Sequence, residues 1–150
     1  MEAFVAAGAG FLLAVLWFDL MHDVLARGHE GDLPESSLAT IAGYYARVTT
    51  AARPMNRLVS VAMLGTLAGI VVELTSDLDP TWLPWASLAL AAGPIGLAGR
   101  RTFPNAVRLG IRQDDVVEQS LLARRILGDH LFCLACISTL LVLQLGSAAR

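Results

Sequence analysis

Two short stretches of this chain hold residues whose types can do chemistry: Asp19, His22 and Asp23 in one, Asp129 and His130 in the other. Imidazoles and carboxylates together ligate zinc or a redox metal, two histidines hold a haem iron from opposite sides, and an Asp–His pair moves protons near neutral pH. A metal reading takes His22, His130, Asp19 and Asp23 as the ligand set, and an acid–base reading rests on His130. A structural reading makes the same acids members of interface ion pairs, with Asp19 or Asp129 answering Arg57, Arg124 or Arg125. Positions three and four apart share one helical face, so Asp19, His22 and Asp23 point the same way. His130, Cys133 and Cys136 form a His-x-x-Cys-x-x-Cys string, and each three-residue helical step turns a side chain by about 300°. That geometry permits a shared metal. Buried free cysteine usually packs as a small hydrophobe, however, and no βαβ pattern supports a redox CxxC.

The elements that must position these residues are apolar. Four runs, 3–18, 58–72, 82–99 and 131–149, approach the roughly 20 residues a bilayer-crossing helix needs. With 55% hydrophobic and 16% charged residues and a mean hydropathy of +0.60, the chain reads as an integral membrane protein. The fold expected is all-α, a polytopic four-transmembrane-helix bundle in a single domain. Its spans are expected at about 3–24, 57–75, 82–100 and 128–148. Met1 and Glu2 supply no basic n-region, so the first run reads as a retained span rather than a cleaved leader.

Between the first two spans, Leu38, Ile41, Ala42, Tyr45 and Val48 recur at helical spacing and predict an amphipathic helix over about 33–53. Asp32, Pro34 and Glu35 resemble a capping-box start. Pro54 marks its end or a kink. This helix reads as lying in the inner interface with Tyr44 or Tyr45 at headgroup level, or else as a lid over a pocket. From Asp114 onward a helical period runs through Val116, Val117, Leu121, Leu122 and Ile126 into the last span, which therefore reads as one long helix.

All 11 basic residues are arginine. Arg27, Arg47, Arg53 and Arg57 fall in the first connection, and Arg100, Arg101, Arg108, Arg112, Arg124 and Arg125 in or beside the third. The second holds only Asp77 and Asp79, so the positive-inside rule places connections one and three in the cytoplasm and both termini outside, Arg150 being a minor exception. Asp79-Pro80 signals a turn, and Trp82 and Trp85 read as interfacial anchors. Glu73 is expected to reach the outer headgroups, and His29 and Glu30 to sit in a solvated loop. Gly65 and Gly69 form a GxxxG pair that serves either packing within the bundle or a homo-oligomer seam. No polar line crosses the bilayer as a channel requires. No P-loop, dinucleotide fingerprint or nucleophile elbow is present, and scattered arginines give no nucleic-acid surface.

Leu33-Pro34-Glu35, Arg53-Pro54-Met55-Asn56, Phe103-Pro104-Asn105 and the stretch from Arg124-Arg125 to His130 occur in an order that resembles the anthrone-oxygenase-like family of four-helix membrane proteins. The resemblance spans most of the chain. It implies a bacterial inner-membrane protein that binds a small hydrophobic ligand, phenolic or polycyclic, near its cytoplasmic face and oxygenates it without a cofactor. Asn56, Asn105 and His130 would line the pocket: an amide orients a carbonyl or hydroxyl, and a histidine takes a phenolic proton. Asparagine beside proline also caps helices and turns, which is the plainer role for Asn56 and Asn105. Three functional classes follow: an oxygenase-like ligand-binding protein, a transition-metal or haem protein built on His22 and His130, and a non-catalytic small subunit of a larger membrane complex.

Overall fold

The computed structural model describes residues 1–51, 53–76 and 80–149; Asp77, Asp79 and Arg150, and with them the Asp79-Pro80 turn, lie outside the described residues. All regular structure among the described residues is helical. Helix α1 (Glu2–Asp23) runs into a 3₁₀ turn (Val24–Ala26), and α2 (Glu35–Ala46) into a wide π turn (Arg47–Ala51). Then come α3 (Arg53–Leu74) and α4 (Leu83–Leu97), a second π turn (Ala98–Thr102), α5 (Phe103–Ile111) and α6 (Val116–Ala148). Three stretches are long and apolar enough to cross a membrane: Glu2–Ala26, Pro54–Leu74 and Val116–Ala148. The third apolar run of the sequence becomes α4, which holds Pro94 inside it and widens after 15 residues.

Helix α1 packs on α3 and α6, and α4 packs on α3 and α6. One core fills this bundle, built on Val5, Ala9, Leu12, Ile70, Ile137 and Leu140. A second joins α2 and α5 to the first turns of α6 through Leu38, Ile41, Leu109, Leu122 and Ile126, all 0% exposed. The predicted apolar face of α2 is the buried one, for Leu38, Ile41, Ala42 and Tyr45 are all at most 3% exposed. Two bonds identify the ends of the bundle. Ser147 Oγ donates to Glu2 Oε1 at 2.6 Å, bringing the first and last helical turns together. Arg112 Nη2 donates to Glu35 at 2.8 Å at the other end, where the first and third connections meet.

Small residues set the close seams. A Cβ on Gly69 would stand 2.9 Å from Val5 Cγ2, so that half of the GxxxG pair is used within the bundle, against α1. Gly110 is tighter still, its Cβ position lying 2.8 Å from the Ala46 backbone nitrogen where α5 crosses α2. Arg112 ends α5 in the left-handed region at φ 56°. That conformation is uncommon for a side chain other than glycine, and the bonds from Arg112 to Glu35 and Gln119 hold it.

Several local expectations are corrected. No capping box forms: α2 starts at Glu35 behind Pro34, and no side chain caps it. The real side-chain cap is on α6, where Asp115 accepts the backbone N–H of Glu118 at 2.8 Å. Glu73 does not reach the headgroups but is 0% exposed. Neither Arg57, Arg124 nor Arg125 answers Asp129; Arg101 does, Nη2 to Oδ1 at 3.1 Å. Arg124 instead donates to the carbonyls of His29 and Gly31, pinning the loop after α1.

Candidate functional site

At the end of the bundle where the connections meet, α1 and α6 bring the two acid–imidazole stretches together. His130, 8% exposed, bonds through Nδ1 to Asp23 Oδ2 at 2.6 Å. A carboxylate only accepts, so Nδ1 carries the hydrogen. The other ring nitrogen, Nε2, then points toward Asp19 Oδ2 at 3.9 Å. This arrangement suits proton transfer: one carboxylate fixes the tautomer and orientation of the imidazole, leaving the second nitrogen free to take a proton.

Helix α2 closes the site with two consecutive tyrosines. Tyr45 donates its hydroxyl to Asp23 Oδ1 at 2.6 Å, and Tyr44 donates to Asp19 Oδ1 at 2.6 Å. Both oxygens of the fully buried Asp23 are thereby satisfied, as a buried carboxylate requires. Burial, and the carboxylate each phenol bonds, push both tyrosines well above their ordinary value, so they remain neutral donors. Tyr45 is 3% exposed and Tyr44 is half-buried. Helix α2 turns its apolar stripe onto α5 and the first turns of α6, and its two tyrosines buttress the two aspartates.

His22 stands apart from this chain of bonds. Its Nδ1 lies 3.0 Å from the Phe18 carbonyl, and its ring stacks on Tyr44 with centroids 3.9 Å apart. The set His22, His130, Asp19 and Asp23 is therefore split: His130 bonds Asp23 and stands 3.9 Å from Asp19, whereas His22 stacks on Tyr44. Among the described residues no group of three or more His, Cys, Asp or Glu side chains is arranged to hold a metal ion. Cys133 is buried, its Sγ 4.0 Å from the Pro94 carbonyl, and Cys136 is half-buried; both are free thiols.

Asp129 makes a second centre beside the first. It is 4% exposed, pairs with Arg101 and accepts from Thr102 Oγ1 at 3.1 Å. Arg101 and Thr102 both come from the second π turn, a kind of helix widening that recurs at functional sites. Asn105 follows one helical turn later, half-buried on α5, and Asn56 is half-buried in the first turns of α3. Two cavities lie elsewhere. One of about 270 Å³ sits between α1 and α3 against Phe4, Phe11 and Val61, and one of about 110 Å³ sits near Trp82 and Ser147.

Sequence reasoning missed Tyr44, Tyr45, Arg101 and Thr102 as members of this region. Tyr45 on the buried stripe of α2 was a usable signal, since a buried phenol must find an acceptor. Comparison with protein-family models, curated proteins and solved structures gives no match to this chain.

Proposed function

We propose that this chain is a four-span membrane protein whose inner end binds a small hydrophobic phenolic ligand and takes a proton from it through His130. The observation that carries this reading is the 2.6 Å bond from His130 Nδ1 to Asp23, which leaves Nε2 as the available base beside Asp19. A phenol O–H placed at Nε2 gives up its proton, and the imidazolium formed is held between two carboxylates. The phenolate left behind is the electron-rich anion that reacts with dioxygen, as the likeness to anthrone oxygenases implies. For an anthrone, the oxidation consumes one dioxygen: one atom becomes the new ring carbonyl and the other leaves as water. Asn56 and Asn105 orient the ligand's oxygens from the starts of α3 and α5.

The fourth span of this reading is α4 together with the wide turn after it, since residues 83–102 extend about 30 Å at about 1.5 Å per residue. The arginine-rich connections lie in the cytoplasm and the chain ends outside, which puts His130 at the cytoplasmic face of a bacterial inner membrane.

The test uses the purified protein in detergent or nanodiscs with anthrone in air, following product absorbance and oxygen uptake. His130→Gln is expected to lower turnover by about 10²- to 10⁴-fold, the usual contribution of a positioned base. Wild-type protein that neither binds nor oxidises phenolic probes overturns the proposal, and so does a Soret band or one metal per chain in the same sample.

A further inference from the structure

The opposite end of the bundle holds a second polar group that the His130 site does not use. Glu73 of α3, Ser87 of α4 and Gln144 of α6 are each 0% exposed. Gln144 Nε2 donates to Glu73 Oε2 at 3.0 Å and to Ser87 Oγ at 3.0 Å, which consumes both amide hydrogens. Glu73 Oε1 and Gln144 Oε1 have no hydrogen-bond partner among the described residues. These two bare oxygens belong to side chains already bonded to each other. Reversing the Gln144 amide does not help, because its oxygen would then face the Glu73 carboxylate, and neither atom brings a hydrogen.

An unpaired buried acceptor is costly, more so when charged, so two on side chains bonded to each other call for an explanation. A single positive charge placed between the two bonded side chains would satisfy both. Among the described residues the charged groups facing Glu73 are Glu2 of α1, already accepting from Ser147, and the amine of Met1, a residue 58% exposed. We propose that Glu73 Oε1 and Gln144 Oε1 form a buried binding site for one small monovalent cation, with Ser87 completing its oxygen shell. Carboxylate, amide and hydroxyl oxygens are hard ligands, which suit alkali ions rather than zinc or copper. One carboxylate neutralises one charge, which disfavours a divalent ion in so buried a place. Sodium and the proton are the two sources of that charge, and they are separable by experiment. The inference is independent of the reaction assigned to His130.

Wild-type protein in choline chloride is compared with protein in sodium chloride of equal ionic strength, following unfolding through tryptophan fluorescence, while equilibrium dialysis with radioactive sodium counts bound ions. Sodium as occupant is expected to raise the unfolding temperature by about 5 °C at saturation and to give one bound ion per chain. A proton as occupant gives no sodium response but an infrared carbonyl band of a protonated carboxyl group that shifts in heavy water. In either case Glu73→Gln, which offers Gln144 Oε1 an N–H in place of the ion, is expected to be at least as stable as wild type in choline chloride and to lose the sodium response or the infrared band. The proposal is overturned if wild type binds no sodium and lacks the band, or if either signal persists in Glu73→Gln. Dialysis and infrared on wild type decide the matter should the variant fail to fold.

Discussion

The two ends of this bundle solve the same problem in opposite ways. Each buries a carboxylate completely, Asp23 at the end where the connections meet and Glu73 at the other. Asp23 accepts from His130 and Tyr45, so each of its oxygens is used, and Asp19 is held by Tyr44. Glu73 has one oxygen used and one bare, and its partner Gln144 repeats the pattern. The difference follows from what packs there. At the Asp23 end, α2 folds over the span ends and contributes two phenols. At the Glu73 end the described partners are the bundle helices themselves, and they bring an amide and hydroxyls but no charged group at hydrogen-bond distance from Glu73. A closed network holds its own geometry in place, whereas an open one fits a site that is completed by something else.

The comparison predicts opposite signs for like substitutions. Asp23→Ala strips His130 and Tyr45 of their acceptor inside a buried site, and removing one partner of a buried charged pair costs about 3–5 kcal/mol. Asp23→Asn keeps the shape and one acceptor, so about 1–3 kcal/mol is expected from the group left unpaired. Glu73→Gln closes an open network and is expected to be neutral or stabilising without added cation. Denaturant unfolding of the three variants in one detergent gives all the values. A Glu73→Gln loss as large as that of Asp23→Asn would erase the distinction between the ends.

Next in size are the glycine seams. Gly110→Ala drives a methyl group into the Ala46 backbone, which has no rotamer to yield, and overpacking of this kind costs about 1–3 kcal/mol. Gly93 meets nothing within 4 Å, so Gly93→Ala is expected to gain up to about 1 kcal/mol from helix propensity. If Gly110→Ala unfolds like wild type, α2 is not locked onto α5, and the roof over Asp19 and Asp23 is looser than its bonds indicate.

What the sequence disclosed about this comparison was uneven, for physical reasons. Helix positions were legible because apolar runs and a 3.6-residue period report burial directly, and Leu38, Ile41 and Tyr45 fell on the buried stripe as expected. Helix direction alone put His22 and His130 at similar depth, so that the two stretches could meet, but not which side chains would: His130 bonds Asp23, and His22 stacks on Tyr44. Partner choice was not legible. Arg101 reaches Asp129 from the wide turn after Leu97, a backbone feature that no side-chain spacing announces. Tyr45 lies 22 residues from Asp23, and their bond depends on α2 folding back over α1. Glu73 looked like a surface acid because it lies near a span end, and its burial required knowing that Gln144 and Ser87 arrive there from other helices.

The smallest expected effect sharpens the closed end. Tyr44 and Tyr45 are the only tyrosines in the chain, so a spectrophotometric titration of the whole protein reads those two phenols and nothing else. Burial first, then the aspartate each one bonds, pushes both upward from 10.0. A phenol that stays protonated in the folded chain but ionises in the unfolded one contributes stability that is complete below about pH 10 and declines as pH rises beyond it. Intact protein should therefore give little tyrosinate absorbance at pH 10, where unfolded chain gives about half of the full signal. Tyr44→Phe should leave Tyr45 equally resistant, because Asp23 and burial act on Tyr45 directly. If both phenols instead titrate near 10 in the folded protein, α2 does not seal the aspartates from water. The closed end would then be as open as the one around Glu73.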